Sequence, residues 1–282
     1  RELPRRPLMA GEDGIRLSLA GAQDKIPVRL DSGSIAIPRG SAPSSHVLKP
    51  AIATYEGIVF NEAFCLALAS ACGLNAAPVE IGNVGKIDYL LCQRYDRVKG
   101  EDGRVRRLHQ EDFCQALGIP SEMKYQSEGG PSLARCFDLI RKASSSPALD
   151  LLALLDAVIF NLLIGNNDAH AKNFSLLYLP NGSVRLAPLY DLVATVFYPE
   201  LTDRMAMKIG RQSRSALVGP QDIDRFAAAT GLGAAQTRAR IPMLAGRLLE
   251  KIPSIDKPHP VSASVADLIA ERCGHYARIF RK

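Results

Sequence analysis

Several familiar signatures are missing from this sequence of 282 residues. None of its six cysteines belongs to a C-x-x-C pair, which argues against a zinc ribbon. The sequence contains neither the G-x-x-x-x-G-K-[ST] loop of P-loop proteins nor the G-x-G-x-x-G fingerprint of dinucleotide-binding folds. Internal repeats and long low-complexity tracts are lacking as well. Any nucleotide site in this chain must therefore be built in another way.

Long uninterrupted apolar runs are also absent. The most apolar segment, residues 151–164, contains Asp156 and Asn161, so we expect no transmembrane span, and no signal peptide is recognised. The cysteines lie mostly within apolar stretches, as Cys65 does, which is typical of reduced thiols in a cytosolic protein. We therefore expect a cytoplasmic protein without a membrane partner.

The composition is that of an ordinary globular protein. Hydrophobic residues make up 47% of the chain and charged residues 23%, which is enough apolar material for a sizeable core. The formal net charge is +6. A mildly basic surface suits an anionic ligand or a nucleic-acid partner, but it is more often simply a solvated surface.

The pattern of apolar and polar residues changes after Asp96. Before it, short apolar runs alternate with turns, which predicts β-strands. One segment places its apolar residues at helical spacing and ends at Gly73. The predicted strands are residues 15–19, 26–30, 35–38, 46–48, 79–81 and 87–92, and the predicted helix is 58–72.

From Glu111 onward, helical periodicity dominates. Two short strands joined by a Pro-Asn-Gly turn interrupt it, and residues 98–107 read as a charged connection. We therefore predict an α+β protein with two lobes, a sheet-rich lobe at residues 1–97 and a mostly helical lobe at 98–282. The predicted helices are 111–117, 132–143, 149–164, 222–229, 234–251 and 261–279, and the strands are 174–178 and 184–187.

A polar segment, residues 165–173, lies between an apolar helix and an apolar strand. In it, Asp168 and Asn173 have the D-x-x-x-x-N spacing of the catalytic loop in protein kinases. There the aspartate accepts the proton of the substrate hydroxyl and the asparagine binds a metal ion. Asp191, expected to close a short strand, supplies a second oxygen ligand for Mg²⁺. The alternatives are helix caps for the asparagines before Asp168 and a turn role for Asp191.

Two features of the sheet-rich part are candidates for phosphate contacts. Residues 18–25 form a strand–turn–strand element whose small residues let backbone N–H groups approach phosphates, although an ordinary hairpin fits equally well. Lys49 ends a predicted strand like the lysine of the V-A-I-K motif, but such lysines are more often exposed. Glu62 could pair with Lys49 from the following helix, yet we expect it to be an exposed helix residue.

Two more groups of residues point to the same chemistry. His170 lies inside the polar segment without a second histidine or cysteine at metal spacing, so we expect it to hydrogen-bond to phosphate or to Asp168. Gln93, Arg94 and Tyr95 follow the last strand of the first part. A hinge at that point would offer backbone groups and an aromatic face to adenine.

With these segments the chain resembles the HipA-like kinase family, the toxin kinases of bacterial type II toxin–antitoxin modules. The resemblance depends on several motifs in order and not on any one of them. The matching segments are 18–25 (SLAGAQDK), 46–50 (HVLKP), 61–62 (NE), 94–97 (RYDR), 110–113 (QEDF), 166–174 (NNDAHAKNF) and 189–191 (LYD).

The resemblance implies a bilobal protein-kinase-like fold that uses ATP and Mg²⁺. It assigns the general base to Asp168 and the metal ligands to Asn173 and Asp191. It marks Ser18 as a self-phosphorylation site, where a phosphate of about two negative charges would repel ATP and switch the enzyme off. It assigns nucleotide contacts to Ala20, Gly21, Ala22, Gln23, Asp24, Lys25, Lys49, Gln93, Arg94, Tyr95, His170, Lys172 and Tyr190.

The resemblance also implies a biological setting. The substrate would be an aminoacyl-tRNA synthetase, such as glutamyl-tRNA synthetase, whose phosphorylation halts translation and arrests growth. The partner would be a small HipB-like helix-turn-helix antitoxin on operator DNA, which a charge of +6 favours.

Two departures from the family pattern stand out. Members usually carry an N-terminal subdomain where this chain has few residues, so we expect that subdomain to be separate or missing. Asp24 stands where members commonly have glutamate, a change that we expect to be mild.

Two other functions remain open from the sequence. The first is an ATP-occupied but catalytically idle corepressor that acts with a DNA-binding antitoxin. The intact set of Asp168, Asn173 and Asp191 argues against it. The second is a kinase of a small molecule or lipid, which would share the same base and metal geometry.

Overall fold

The computed structural model describes residues 24–31, 33–38, 42–100 and 104–280. The predicted strand at residues 15–19 and most of the predicted phosphate loop, namely Ser18 and Ala20 to Gln23, lie outside the described residues. Asp24 and Lys25 lead directly into the first described strand.

A five-stranded antiparallel sheet forms the N-terminal part of the described chain. The central strand pairs with a neighbour on each side and places Lys49 opposite Leu90. All five strands predicted for this stretch are present. They are β1 (Ile26–Asp31), β2 (Ser34–Ala36), β3 (His46–Pro50), β4 (Val79–Val84) and β5 (Ile87–Gln93), in the order β2-β1-β3-β5-β4.

Helix α1 (Ile58–Ala71) packs between this sheet and the C-terminal helix Pro260–Ile279. It starts after Gly57, whose φ of 65° is left-handed and where a side chain would strike Val261. Because the helix is enclosed on both sides, its polar residues Asn61 and Glu62 are buried. Glu62 is only 2% exposed, so the expectation of an exposed helix residue was wrong.

The stretch expected to be a plain charged connection is a hairpin of β6 (Arg97–Lys99) and β7 (Val105–Arg107). Buried Asp96 anchors its start by accepting hydrogen bonds from Arg94 and from Arg97, both at 2.7 Å. Burial alone would raise the pKa of Asp96, but the two guanidinium groups hold it below its ordinary value. The lobe boundary at residue 97 stays a prediction.

A three-stranded sheet in the C-terminal part has the order β10-β9-β8, with β8 (His109–Asp112), β9 (Ser175–Tyr178) and β10 (Val184–Leu186). The helix predicted at 111–117 was wrong in part. Its first residues belong to β8, and only one turn is helical. Asp112 stops the strand and caps that turn, because its side chain accepts the N–H of Gln115 at 2.9 Å.

The rest of the C-terminal part is mostly helical, and its predicted helices are present. A strand pair, β11 (Arg204–Ile209) and β12 (Gln212–Arg214), was not predicted. The helices are α2 (Phe113–Ala116), α3 (Leu133–Ala143), α4 (Pro147–Ile164), α5 (Pro220–Thr230), α6 (Ala234–Lys251) and α7 (Pro260–Ile279).

Helix α4 lies at the centre of the C-terminal core and contacts α3, α6 and α7. By length and composition alone it could cross a membrane, but 61% of it is buried inside the protein, as in a core helix. Its polar residue Asn161 is buried near its end and contacts the polar loop that follows. The helix thereby positions that loop.

Asp150, near the start of α4, is 3% exposed and accepts hydrogen bonds from Ser144 and Arg185. Because Asp150→Ala leaves these donors without their acceptor, it should lower the free energy of unfolding by about 3 kcal/mol. The control Asp138→Ala breaks an exposed ion pair with Arg141 and should cost less than about 0.5 kcal/mol. Equal losses in denaturant titrations would contradict this account.

Candidate active site

A cavity of about 270 Å³ lies between the five-stranded sheet and the C-terminal part. Part of its lining is apolar, and part carries charges of both signs. Such a lining suits a ligand that combines an apolar ring with anionic groups. The apolar part includes Val47, Leu66, Ala77, Cys92 and Tyr95, and the charged part consists of Lys25, Lys49, Glu62, Arg94, Asp96, Asp112, Lys172 and Asp191.

Lys49 is buried in this cavity and is not the exposed strand-end residue of the alternative interpretation. Its Nζ donates to Glu62 Oε1 at 2.6 Å and to Asp191 Oδ1. Burial would lower the pKa of Lys49, but the two carboxylates more than offset this and keep it above its ordinary value. Burial raises the pKa of Glu62, although Lys49 acts in the opposite direction.

Asp191 is contacted by three other residues of the predicted site. Lys25 Nζ donates to its Oδ2 at 3.0 Å, Asn173 Nδ2 donates to the same oxygen at 3.3 Å, and Lys49 donates to Oδ1. Burial alone would raise the pKa of Asp191, but Lys49 and Lys25 hold it below its ordinary value. The carboxylate is therefore ionised and able to bind cations.

The backbone of Asp191 is unusual. Its φ of 53° is the only positive value at a non-glycine position among the described residues. The prediction that Asp191 closes a short strand was wrong. Nearby Leu189 forms only a single parallel bridge to Ala76. A left-handed aspartate costs roughly 1 to 3 kcal/mol and persists where its surroundings hold it, often at functional sites. Here Asn166 Nδ2 donates to its carbonyl at 3.3 Å.

Helix α1 links the carboxylate network to the chain beyond Asp191. Asn61 Oδ1 accepts the N–H of Ala194 at 2.9 Å, and its Nδ2 donates to the carbonyl of Ala194 at 3.2 Å. The neighbouring residue Glu62 binds Lys49. Two adjacent residues of one helix thus fix both sides of the site.

The polar loop after α4 is braced by its own side chains. Gly165, with a φ of 76°, ends the helix, so the asparagines that follow are not its caps. Asn166 Nδ2 donates to Asn161 Oδ1 at 2.8 Å. Asn166 Oδ1 accepts the N–H of Asp168 at 3.2 Å. The predicted general base therefore lies on a rigid segment.

Asp168 lies among donors and positive charges. The hydroxyl of Tyr125 donates to its Oδ1 at 2.7 Å. Burial lowers the pKa of Lys124, while the negative charge of Asp168 raises it and the positive charge of Lys172 lowers it. A lysine beside a carboxylate can hold an anionic group that is transferred close to it.

His170 is buried, at 2% exposure. Among the described residues neither of its ring nitrogens has a hydrogen-bond partner, so the expected side-chain bond to Asp168 is not present. The two residues are joined through the backbone instead, by the N–H of His170 and the carbonyl of Asp168 at 2.8 Å. Burial lowers the pKa of His170 to about 3, and Lys124 acts in the same direction. A contact of His170 with phosphate stays a prediction.

The predicted hinge has fewer free backbone N–H groups for a ligand than we expected. The N–H of Gln93 donates to the carbonyl of Pro78, and the N–H of Arg94 to the carbonyl of Ser45, both at 2.9 Å. The guanidinium of Arg94 is paired with Asp96. Both residues line the cavity, but their backbone N–H groups are already bound within the protein. Adenine contacts by Gln93 and Arg94 stay predictions.

The aromatic part of the hinge prediction has a clear structural counterpart. Tyr95 and Tyr190 both line the cavity and stack with ring centroids 5.9 Å apart. The hydroxyl of Tyr190 lies 2.7 Å from Ser175 Oγ and also contacts the carbonyl of Lys172 at 2.7 Å. This pair joins the end of the sheet to the loop that carries Lys172.

Several site residues were missed by reasoning from the sequence. Gln110, Asp112 and Gln115 line the cavity. The side-chain oxygen of Gln110 is buried and lacks a partner within the described part of the chain, so it is able to accept a hydrogen bond from a ligand. The QEDF segment was quoted only for the resemblance. Tyr125 gave no signal, because 43 residues separate it from Asp168.

Asn173 and Asp191 fit a magnesium ion in their chemistry. Mg²⁺ prefers oxygen ligands and is usually held by one or two protein carboxylates together with substrate phosphates. Asn173 directs its Nδ2 to Asp191 and its Oδ1 to the N–H of His170. Its amide must therefore turn before the oxygen can bind a metal. The two side chains lie together as predicted, and their metal-binding role stays a prediction.

The family model of the HipA-like C-terminal domain matches residues 17–252. This span covers most of the chain, so the chain belongs to the HipA-like family, as its motifs predicted. The matched region contains every residue of the candidate site.

Two relatives illustrate the range of similarity. The protein Y4mE of Sinorhizobium fredii is 50% identical over 250 residues, which cover 89% of this chain and 59% of the relative. The serine/threonine-protein kinase toxin HipA of Shewanella oneidensis is 31% identical over 283 residues, which cover 93% of this chain and 64% of the toxin. The chain thus spans about three fifths of the length of these relatives.

Solved structures confirm the predicted α+β kinase-like fold. HipA in the Shewanella oneidensis complex of HipA, HipB and operator DNA superimposes with a TM-score of 0.86 at 28% identity, covering 98% of this chain and 68% of that one. The Helicobacter pylori proinflammatory kinase CtkA superimposes with a TM-score of 0.58 at 12% identity, covering 90% of this chain and 93% of that one. The second match shows the fold alone.

The buried imidazole of His170 should make the fold sensitive to acid. The unfolded chain binds a proton near the ordinary histidine pKa, while the folded chain resists it down to about pH 3, so stability falls as the pH drops between these values. As the pH falls from about 7 to about 4.5, the free energy of unfolding of His170→Gln should rise by roughly 2 to 3 kcal/mol relative to that of the wild type.

Urea titrations across this pH range measure the effect. The matched control is His275→Gln at an exposed position, which should follow the wild type. A constant difference between His170→Gln and the wild type at every pH would show that the imidazole is not held neutral.

Proposed function

We propose that this protein is an ATP-dependent kinase that transfers the γ-phosphate to a serine or threonine hydroxyl of another protein. One observation carries the proposal: Asp191 is bound by Lys49, Lys25 and Asn173 beside a partly apolar cavity. That arrangement combines positive charge for phosphates, an ionised carboxylate for a metal and an apolar surface for a base. The kinase name of the Shewanella relative supports it.

ATP would occupy the cavity. The adenine would pack against the apolar lining, which includes Val47, Cys92 and Tyr95. The phosphates would meet Lys25 and Lys49, whose positive charges already converge on one carboxylate. In this arrangement the ammonium group of Lys49 would bind phosphate, while the carboxylate of Glu62 keeps that ammonium group in position.

Phosphoryl transfer is mainly a matter of positioning and charge. Asn173 and Asp191 would hold Mg²⁺, which when bound neutralises charge on the phosphates. Asp168 would accept the proton of the acceptor hydroxyl as the bond to the γ-phosphate forms and ADP leaves. Lys124, whose pKa responds to the charge of Asp168, would stabilise the transferring group electrostatically, and Lys172 on the same loop as Asp168 would add a second positive charge.

We further propose a toxin role in the cytoplasm. The Shewanella relative is named a toxin, and its solved complex contains HipB and operator DNA. By this likeness an antitoxin on operator DNA would be the partner, and an aminoacyl-tRNA synthetase, such as glutamyl-tRNA synthetase, the substrate. Phosphorylation of Ser18 would switch the kinase off, because a phosphate there repels ATP.

A catalytically idle ATP-binding corepressor is the second candidate. The observation that favours it is the presence of the solved relative in a complex with HipB and operator DNA. Such a protein would bind ATP and a DNA-bound antitoxin, but it would not transfer phosphate. The same assay of phosphate transfer therefore separates the two candidates.

Intact mass after incubation with ATP and Mg²⁺ tests the proposal. The wild type should gain one phosphate, mapped to Ser18, and should label a serine or threonine of a protein from the host lysate. Asp168→Asn should slow both reactions by at least about 100-fold, because the proton acceptor is lost. Asp267→Asn, the same change at an exposed position, should leave the rate unaltered.

The mass before incubation reveals whether Ser18 is already phosphorylated. An unmodified wild type that binds ATP but gains no phosphate and labels no protein would contradict the kinase proposal in favour of the corepressor. Transfer by Asp168→Asn at the wild-type rate would contradict the assignment of the base. Labelling of a lipid or metabolite alone would point to a different acceptor class.

A further inference from the structure

Tyr125 is bound to the predicted base although no motif marks it. Its hydroxyl donates to Asp168 Oδ1 at 2.7 Å, and the residue is only 5% exposed. A hydrogen bond from a buried phenol to a carboxylate is charge-assisted and fixes the plane of the carboxylate. Bases in active sites are commonly oriented by such a third group.

The loop that carries Tyr125 is tightly built. The residue stands between two single 3₁₀ turns, Ser121–Met123 and Gln126–Glu128. Gly130 follows them, and a Cβ there would lie 2.3 Å from the carbonyl oxygen of Met123 and 2.7 Å from that of Tyr125. Only glycine allows this close approach, so the path of the loop sets the position of Tyr125.

The loop is also tied to the rest of the C-terminal part. Gln126 Oε1 accepts the N–H of Lys208 in β11 at 2.8 Å. The ring of Tyr125 packs edge-to-face against His170, with centroids 5.5 Å apart at 75°. Lys124 lies 5.1 Å above the ring. The loop is therefore held by β11, and the phenol itself is held by the loop that carries Asp168 and His170.

We propose that Tyr125 is a positioning residue for Asp168 in the phosphoryl transfer. This inference rests on the proposed kinase function. The acceptor hydroxyl loses its proton to Asp168, its oxygen bonds to the γ-phosphorus, and the bond from that phosphorus to ADP breaks. Tyr125 keeps its own proton throughout and fixes the direction from which Asp168 receives the other one.

The kinetic test also distinguishes positioning from the opposite role, in which Tyr125 obstructs the substrate. A hydroxyl at hydrogen-bond distance from the base resembles an acceptor hydroxyl, so the contact could instead obstruct the substrate. Obstruction predicts a faster enzyme when the phenol is removed, whereas positioning predicts a slower one. The sign of the change in kcat therefore decides between them.

Steady-state kinetics of Tyr125→Phe make the test. We expect kcat to fall by about tenfold, the equivalent of one charge-assisted hydrogen bond, with the KM for ATP and the affinity for ADP within about twofold of wild type. The matched control is Tyr198→Phe, which removes a buried hydroxyl that donates to the carbonyl of Glu56 at 3.2 Å. It should leave kcat unchanged.

Three results would overturn the proposal: an unchanged kcat, a raised kcat, or a fall in ADP affinity and thermal stability that accounts for the loss. A wild type that transfers no phosphate would instead remove the proposed function, and this inference with it.

A second measurement does not depend on turnover. The melting temperatures of Tyr125→Phe, Asp168→Ala and the double variant should be non-additive, because the single variants break the same hydrogen bond. Strict additivity would show that the two side chains do not interact, and would overturn the proposal even in an active enzyme.

Discussion

Lys49 carries its positive charge in the interior of the protein, and two carboxylates make this possible. Glu62 holds its Nζ from helix α1, and Asp191 holds it from the segment after the β9–β10 hairpin. Without either partner a buried charge would be left uncompensated at a cost of several kcal/mol. The sheet, the helix and the C-terminal part must therefore meet at one point. This ion network both closes the fold and creates the charged side of the cavity.

The surroundings of that network are rigid where chemistry is expected. Asn61 clamps the backbone at Ala194, and Asn166 binds the carbonyl of the left-handed Asp191. Asp168 lies on the same braced loop and is held by Tyr125 from outside it. Preorganised charges of this kind need little rearrangement when an anionic group is transferred. The left-handed backbone of Asp191 is thus compatible with a stable fold, because hydrogen bonds from neighbouring residues hold it in this conformation.

The sequence predicted the helices well and the site only in part. A long apolar run located α4, and short apolar runs between turns located the five strands of the first sheet, because runs of these two lengths are typical of core helices and of strands. The D-x-x-x-x-N spacing found Asp168 and Asn173, since both lie on one short loop. Local patterns cannot report contacts between distant segments, so Tyr125 was missed and Glu62 was assigned to solvent. The last two residues of β8, Glu111 and Asp112, were assigned to a helix because this strand consists of polar residues and shows no apolar periodicity that would mark it as a strand.

Calorimetric titration of ATP with and without Mg²⁺ tests the central proposal most directly, namely that Asp191, together with Asn173, holds the Mg²⁺ that accompanies bound ATP. For the wild type, Mg²⁺ should tighten ATP binding by about tenfold or more. Asp191→Asn should still bind ATP through Lys25 and Lys49 but should lose the effect of Mg²⁺. An equal Mg²⁺ effect in both proteins, or no ATP binding by the wild type, would contradict the account.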